Sequence, residues 1–352
     1  MSKNNRNRSV SLADLPGLFP EKFRPPIGVV LGHPNEVMDF LCTQQSEEIV
    51  CYQMDLFPAR KLRNELDEMG LSAKVKVSAD LWDLDTPLQT IVYPASHKGE
   101  RQLKLDMVDQ AYQILKPHGI LMVLSPYTND QFFPQTMKKI FGKVHTPDDG
   151  QGTVFWSTKT DDKPRRRHEL TYQVSRGEES SLRFLSRPGV FSYGRFDNGA
   201  RALVEVMEID DGDKILDLGC GCGTNGIHAG LQAGDKGKVT FLDSNLRALE
   251  LAEFNAKENG LTRFETLARV HAEKMPAKSF DVVLANPPYF AQESIANMFI
   301  NRSAMLLKPK GRMYLVTKRP NELVEPIGDV FQELEAVYHR GYTIFIASQP
   351  RP

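Results

Sequence analysis

Asn286-Pro287-Pro288-Tyr289-Phe290 closes the apolar run SFDVVLA, residues 279 to 285. Proline removes a backbone donor and pushes the residue before it out of the helical region. Two in a row make a stiff, extended exit whose carbonyls no local ladder can use. At a strand's carboxyl end, the Asn286 side-chain oxygen and the Pro287 carbonyl could accept both hydrogens of an exocyclic amine on a planar ring. The amine lone pair would then turn toward an electrophile while Tyr289 stacked on the ring. That chemistry rests on positioning and in-line geometry rather than on a strong base.

DLGCGCGTNG, residues 217 to 226, is the second such stretch; it ends the strand pattern DKILDLG and opens a helix. Glycines there let backbone approach a ligand and aim helix N-terminal amides at it. Gly221 to Gly226 satisfies G-x-G-x-x-G, and Asp243 follows about 20 residues on, which suits a nicotinamide dinucleotide. Asp217 argues against that ligand. A carboxylate just before the glycines repels a pyrophosphate and suits an ammonium and a sulfonium. The neighbours therefore favour S-adenosylmethionine, with Asp243 on a ribose hydroxyl pair. Cys220 and Cys222 read as small residues that fit the loop, because a zinc pair needs two further ligands absent nearby. His228 and His271 read as loop or helix residues. The sequence holds no H-E-x-x-H and no G-x-S-x-G, so hydrolase chemistry falls away.

Both stretches need strand ends to present them. IGVVLGH, IVCYQMD, AKVKVS, LQTIVYP, ILMVLSP and GTVFWSTK read as strands, with FPARKLRNELDEMG and KLDMVDQAYQILKP as helices between them. After the charged stretch KTDDKPRRRHEL, where TYQV suggests either a connector or a hairpin, the alternation restarts with DKILDLG, KVTFLDS, ARVH, FDVVLANPPY and GRMYLVT. NLRALELAEFNAKENG reads as a helix closed by Gly260. In SIANMFINRSAMLLKP, the residues Ile295, Met298, Phe299, Arg302, Met305 and Leu306 fall at helical spacing and read as its core stripe. Alternating strands and helices imply parallel sheets covered by helices.

The halves also resemble one another. AYQILKPHGILMVLSP aligns with SAMLLKPKGRMYLVTK at an offset of 192, and VVLG (29 to 32) matches LDLG (216 to 219). The first half lacks the glycine loop and reaches the matching strand end with Tyr93-Pro94-Ala95-Ser96. An internal repeat with one chemically empty copy follows. The expected division is a loose start at 1–20, an empty domain at 21–160, a charged connector at 161–187 and a catalytic domain at 188–352.

The 352 residues are 41% hydrophobic and 25% charged, which suits about two globular domains. A net charge of −1 means that a polyanion must be met by local patches. Four cysteines without metal spacing fit a reducing compartment, and no apolar run approaches a membrane span. The expectation is a cytoplasmic protein, without metal or membrane, that is monomeric or a weak homodimer.

DLGCGCG followed by LANPPYF resembles the class I methyltransferases that act on amino groups of planar substrates. RPGVFSYGRFDNGARALVEVM, residues 187 to 207, is similar to the lead-in of the small-subunit ribosomal RNA guanine-N2 methyltransferases. The resemblance implies an α/β fold of two tandem Rossmann-like domains, each a mostly parallel seven-stranded sheet with helices on both faces. It further implies methylation of guanine N2 in ribosomal RNA, with RNA or a ribosomal subunit as partner. By the family's motifs Asp217, Gly219, Cys220, Gly221, Asp243, Ser244 and the segment Asn286 to Phe290 carry donor and base binding. Phe191, Ser192, Arg195 and Asp197 would close over donor or base. Where relatives hold the donor's adenine, this chain has His271 and Ala272, with Glu273 next. Lys163, Arg165, Arg166 and Arg167, or Arg183, Arg187, Arg195 and Arg201, are the cations that could meet RNA. Adenine N6, a protein glutamine amide, or a non-catalytic assembly factor are the alternatives.

Overall fold

The computed structural model describes residues 10–44, 48–146, 153–176, 180–287 and 293–351, and the chain divides after His168 into two units. Pro288, Tyr289 and Phe290 lie outside the described residues. No helix among the described residues is long and apolar enough to cross a membrane.

The first unit contains β1 (Ile27–Val30), β2 (Ile49–Gln53), β3 (Lys74–Val77), β4 (Leu88–Pro94), β5 (Leu115–Leu124) and β6 (Val154–Thr158). Helices α1 (Leu15–Leu18), α2 (Pro34–Thr43), α3 (Leu56–Met69), α4 (Arg101–Ile114) and α5 (Phe132–Phe141) alternate with them. The sheet order is β3-β2-β1-β4-β5-β6, parallel except for β6. Six strands stand here where seven were expected. A seventh would pair with β6, but among the described residues that edge carries one isolated bridge, His145 to Trp156.

The second unit opens on a hairpin, β7 (Leu170–Arg176) and β8 (Ser180–Ser186), then α6 (Asn198–Val206). Its sheet uses β9 (Lys214–Leu218), β10 (Lys238–Asp243), β11 (Phe264–Ala268), β12 (Phe280–Ala285), β13 (Leu307–Thr317), β14 (Phe331–His339) and β15 (Tyr342–Pro350). Between them run α7 (Thr224–Gln232), α8 (Leu246–Glu258), α9 (Glu293–Leu306) and α10 (Val324–Val330). The order β11-β10-β9-β12-β13-β15-β14 has seven strands, with β15 antiparallel to both of its neighbours. Along β12, Val282 and Leu284 enter one core while Val283 and Ala285 enter another, so both faces of the sheet are covered.

Two elements differ from the sequence reading. The edge strand is Phe264–Ala268, not ARVH, because its ladder with β10 runs from Val239–Phe264 to Asp243–Ala268 and ends there. On α9 the buried stripe is Phe299, Ile300, Ser303 and Leu306, while Ile295 and Met305 are exposed. The stripe is rotated because the Ser303 hydroxyl satisfies itself on the Phe299 carbonyl at 2.8 Å and can face inward.

Both units share local detail. The β4–β5 and β12–β13 ladders slip at the same place, after Leu88 and after Phe280. Gly119 and Gly311, 192 residues apart, occupy the same tight turn. A Cβ on either would lie 2.9 Å from a backbone oxygen, that of Lys116 or of Asp281. The first strand is the exception to the sequence match. Leu31 N donates to Tyr52 O at 2.9 Å as Gly219 N donates to Leu242 O at 2.8 Å, so Leu31, not Gly32, stands at the Gly219 position. Leu31 even keeps the left-handed backbone, φ 52° against 72°. Beside it the Gln53 amide donates to the Gly32 carbonyl at 2.8 Å.

Gly119→Ala and Gly311→Ala should each destabilise their own unit by about 1–3 kcal/mol through overpacking. Denaturant titration of both variants measures this, and an unchanged midpoint in either would show that its turn is not tight.

Candidate functional site

β9 delivers the chain to Gly219, and α7 begins at Thr224 after a loop in which Gly221 and Gly223 have φ of 54° and 86°. Gly223 is held by packing, since a Cβ would lie 3.1 Å from the Ala252 Cα. Gly221 has nothing within 4 Å of its missing side chain, so its backbone faces open space. That is a surface which a ligand can approach closely.

Asp217 does not face that space. Its carboxylate is 2% exposed and accepts from Gly226 N at 2.8 Å, at the start of α7. The direct contact expected with a cationic ligand is thus replaced by a helix-terminal amide. Burial pushes this carboxyl up to about 7, Gly226 N opposes the rise, and Asp243 adds to it. Asp243 spans the loop and the next helix, accepting from Gly221 N and Asn245 N, each at 2.9 Å. Ser244 follows it, half-buried, at the start of α8. His271 and Ala272 lie past β11, Ala272 fully buried, and the Glu273 carboxylate accepts from His271 N at 2.8 Å.

One cleft gathers eight of the fourteen expected residues that are described. Phe191, Ser192, Arg195 and Asp197 line it together with Gly219, Cys220, Gly221 and Asn286. Asp217, Asp243, Ser244, His271, Ala272 and Pro287 do not. The enclosed space is about 40 Å³, so a nucleoside-sized ligand requires the side chains above the loop to part. Asp197 caps α6 by accepting from Ala200 N at 2.9 Å, and the same oxygen accepts from the Asn286 Nδ2 at 3.2 Å. That bond fixes the donor end of the Asn286 amide.

Sequence reasoning missed five lining residues: Tyr172, Ala200, Cys222, Thr224 and Asn225. The Tyr172 hydroxyl, from β7, lies 3.3 Å from both Cys222 Sγ and Thr224 Oγ1. Burial raises its pKa. Behind it the rings of Phe184, His228 and Phe196 stack in sequence, with Arg201 5.0 Å over Phe196. Asn225 is 6% exposed, and its Oδ1 is buried without a hydrogen-bond partner among the described residues. An orphaned buried acceptor at a ligand cleft asks for a donor from the ligand. No motif marks these residues; Tyr172 arrives from another element, and Asn225 occupies a variable position of the glycine motif.

The segment above the loop is anchored from below. Arg247, fully buried, donates from Nη1 to the Pro188 carbonyl at 2.6 Å, and Asn245 Nδ2 donates to the Gly189 carbonyl at 2.9 Å. Arg187, expected as a cation for RNA, is 3% exposed and lies 3.9 Å from Glu169 and from Glu250. It serves the fold, because its charge is taken up inside. Arg195 stays exposed, Phe191 is 52% exposed, and exposed Arg183 lies 3.9 Å from Glu258. Of the other cluster, Lys163 donates to the Ile140 carbonyl and Arg165 lies 5.4 Å over Trp82, both within the first unit. Arg166 and Arg167 are exposed. The cysteines are free, and no group of His, Cys, Asp or Glu among the described residues could hold a metal.

Residues 181–346 match the family model of the methyltransferase small domain. The chain is 31% identical over 174 residues to the uncharacterized protein YbxB of Bacillus subtilis, covering 47% of this chain and 85% of that one. The chain belongs to the small-domain methyltransferase family. It is also 32% identical over 152 residues to the ribosomal RNA small subunit methyltransferase C of Hahella chejuensis, and 31% over 150 to the large subunit methyltransferase G of Vibrio vulnificus. These matches cover 42% and 40% of this chain and span 44% and 39% of the two relatives. A solved structure of the T. thermophilus 16S rRNA N2 G1207 methyltransferase, in complex with AdoMet and guanosine, superposes with a TM-score of 0.74. It is 18% identical, and the overlap covers 95% of this chain and 91% of that one, which gives both units the class I methyltransferase fold. S-adenosylmethionine is the cofactor of this fold, and the open backbone at Gly221 with the orphaned Asn225 oxygen fits a ligand bearing an ammonium group.

Asp217 generates a pH dependence. Its folded pKa of about 7 lies above the ordinary 3.8, so the folded state holds a proton that the unfolded state lacks between those values. Its contribution to stability therefore falls as pH rises from 4 to 7. Asp217→Asn keeps an acceptor for Gly226 N but cannot ionise. Relative to the parent, the variant should gain stability between pH 5 and pH 8 in denaturant titrations. A pH-independent difference would place the Asp217 charge elsewhere.

Proposed function

We propose that this protein transfers a methyl group from S-adenosylmethionine to the N2 amine of a guanine in ribosomal RNA, the small subunit's being favoured. One observation carries the reading. The Asn286 amide, at the carboxyl end of β12, shares a cleft with the glycine loop and is oriented there by Asp197. The small-subunit ribosomal RNA methyltransferases among its relatives support the choice of substrate.

The donor, when bound, supplies an electrophilic methyl group on a sulfonium. Gly221 gives it backbone to lie against, the Asn225 oxygen accepts from its ammonium group, and Asp243 accepts from its ribose hydroxyls. Asn286 Oδ1 and the Pro287 carbonyl accept the two hydrogens of the guanine amine, which turns its lone pair toward the methyl. Tyr289 and the exposed Phe191 ring supply apolar faces for a base taken out of its helix. Asp197 does not touch the base; it holds Asn286 in one orientation. The rate follows from this alignment and from excluding water around it.

Transfer of labelled methyl from S-adenosylmethionine into ribosomal RNA from cells lacking this protein, followed by nucleoside digestion, tests the reading. N2-methylguanosine is expected. Asn286→Ala should lower kcat by about 100-fold or more, comparable to removing a key transition-state contact, with donor affinity little changed. Asp197→Ser, which keeps a helix cap but cannot reach Asn286, should lower kcat about tenfold. Label in methyladenosine or in protein would overturn the substrate. Full activity in Asn286→Ala would overturn the site.

A further inference from the structure

The first unit has lost the means to hold a donor. Leu31 replaces the loop's first glycine, and the Gln53 amide bonds the Gly32 carbonyl where β10 of the second unit ends in Asp243. Its strand ends are not featureless, however. A cleft of about 830 Å³ opens at the carboxyl ends of β4 and β5, between the loop before α4 and the start of α5. Its lining combines one exposed aromatic ring, two cations and a rim of amides from Asn129, Gln131 and Gln135.

The ring is Tyr127, 45% exposed. It is preset rather than floppy. His97 meets it edge-on at 4.7 Å, and its hydroxyl donates to the His97 carbonyl at 3.2 Å. The Lys104 ammonium sits 5.5 Å from the ring centre. Arg101 is exposed and lies 5.0 Å over Phe132. The one carboxylate in the lining, Asp130, is committed to the fold. It accepts from the Ser125 hydroxyl and from Phe132 N and Phe133 N at 2.7 and 3.2 Å. Arg101 is therefore the outward-facing cation of the cleft, while Lys104 is 6% exposed and lies within the field of Asp130.

We propose that this cleft binds an unpaired RNA nucleotide, with the base stacked on Tyr127, its edge on the rim amides, and the neighbouring phosphate on Arg101. The inference rests on the RNA substrate proposed above and adds a second, non-catalytic contact for it. A rigid exposed ring beside cations is how single strands are held without sequence readout, because every base has a face to stack. A duplex would hide that face. In sequence, His97 stands 192 residues before Tyr289, so the copy without chemistry carries an aromatic pair at the strand end matching the other copy's base-binding exit.

The test is fluorescence anisotropy of a short fluorescein-labelled single-stranded RNA with the full-length chain. Tyr127→Ala and Arg101→Gln should each weaken binding by about tenfold, and Tyr127→Phe by less than about twofold. S-adenosylmethionine affinity by calorimetry should be unchanged in all three, and an unchanged denaturant midpoint of the first unit reports that the mutated unit is folded. Equal binding by the parent and Tyr127→Ala, no binding by the parent, or equal affinity for a duplex of the same sequence would each overturn the proposal. The Asn286→Ala variant separates the two readings. If it methylates RNA normally while Tyr127→Ala still releases RNA, the catalytic reading fails and this site stands. If it is inactive while Tyr127→Ala binds RNA like the parent, the catalytic reading stands and this site fails.

Discussion

The side chain of Asn255, buried in the middle of α8, accepts from Leu185 N at 2.7 Å and donates to Leu185 O at 3.0 Å and Cys222 O at 2.9 Å. One amide thereby ties the strand that leads into the Phe191–Asp197 segment to the loop under it. Leu185 pairs with Thr171 in the hairpin and Cys222 lies in the glycine loop, and their remaining backbone groups must find partners somewhere. Once Leu185 and Cys222 are joined, Arg247 and Asn245 on the same helix fix Pro188 and Gly189. Asp197 then has a defined position from which to orient Asn286. The site is assembled by a helix that contributes no residue to the cleft's lining.

The electrostatics of the loop decide which ligand it suits. Burial is the main cause that raises the pKa values of Asp217, Cys220 and Tyr172, and the carboxylates of Asp243 and Asp197 add to it, so the glycines lie among acidic side chains. A pyrophosphate would meet their potential unfavourably, whatever the amides of α7 offered. A cationic ligand relieves it. The preference for a sulfonium donor is therefore a property of the surrounding field and not of the Asp217 carboxylate alone, which touches no ligand-facing surface.

This distinction also explains what was legible in the sequence. Strand and helix alternation, the glycine loop, Gly260 as a helix stop and the strand end at Asn286 were readable because each is local: period, turn chemistry and proline stiffness act over a few residues. Gly260 closes α8 at φ 78° as its position suggested. Arg187 and Arg247 were not readable. An arginine in a sequence looks like a surface cation, and only the fold reveals carbonyls and carboxylates waiting for it inside. Asn225 and Tyr172 were hidden for the opposite reason, since nothing in a tripeptide tells a cleft-facing side chain from a packed one. The Asp217 contact was misjudged because the spacing places the residue correctly but not its carboxylate.

The register of the first strand shows where the two copies differ. Aligning VVLG with LDLG is natural, since both end in glycine, yet the hydrogen-bond ladder sets Leu31 in the glycine's place. A leucine at φ 52° adopts a conformation that glycine reaches without strain. The turn persists because the backbone of a doubly wound sheet needs the chain to leave β1 over the neighbouring strand, whereas the ligand needed only the missing side chain. At the turn and the neighbouring strand end, the copies differ by Leu31 for Gly219 and by the amide of Gln53 for the acid of Asp243, while the sheet order β3-β2-β1-β4-β5 repeats as β11-β10-β9-β12-β13. The backbone scaffold of a doubly wound sheet thus tolerates exchange of the side chains at its strand ends, because the ladder and not those side chains sets the path of the chain.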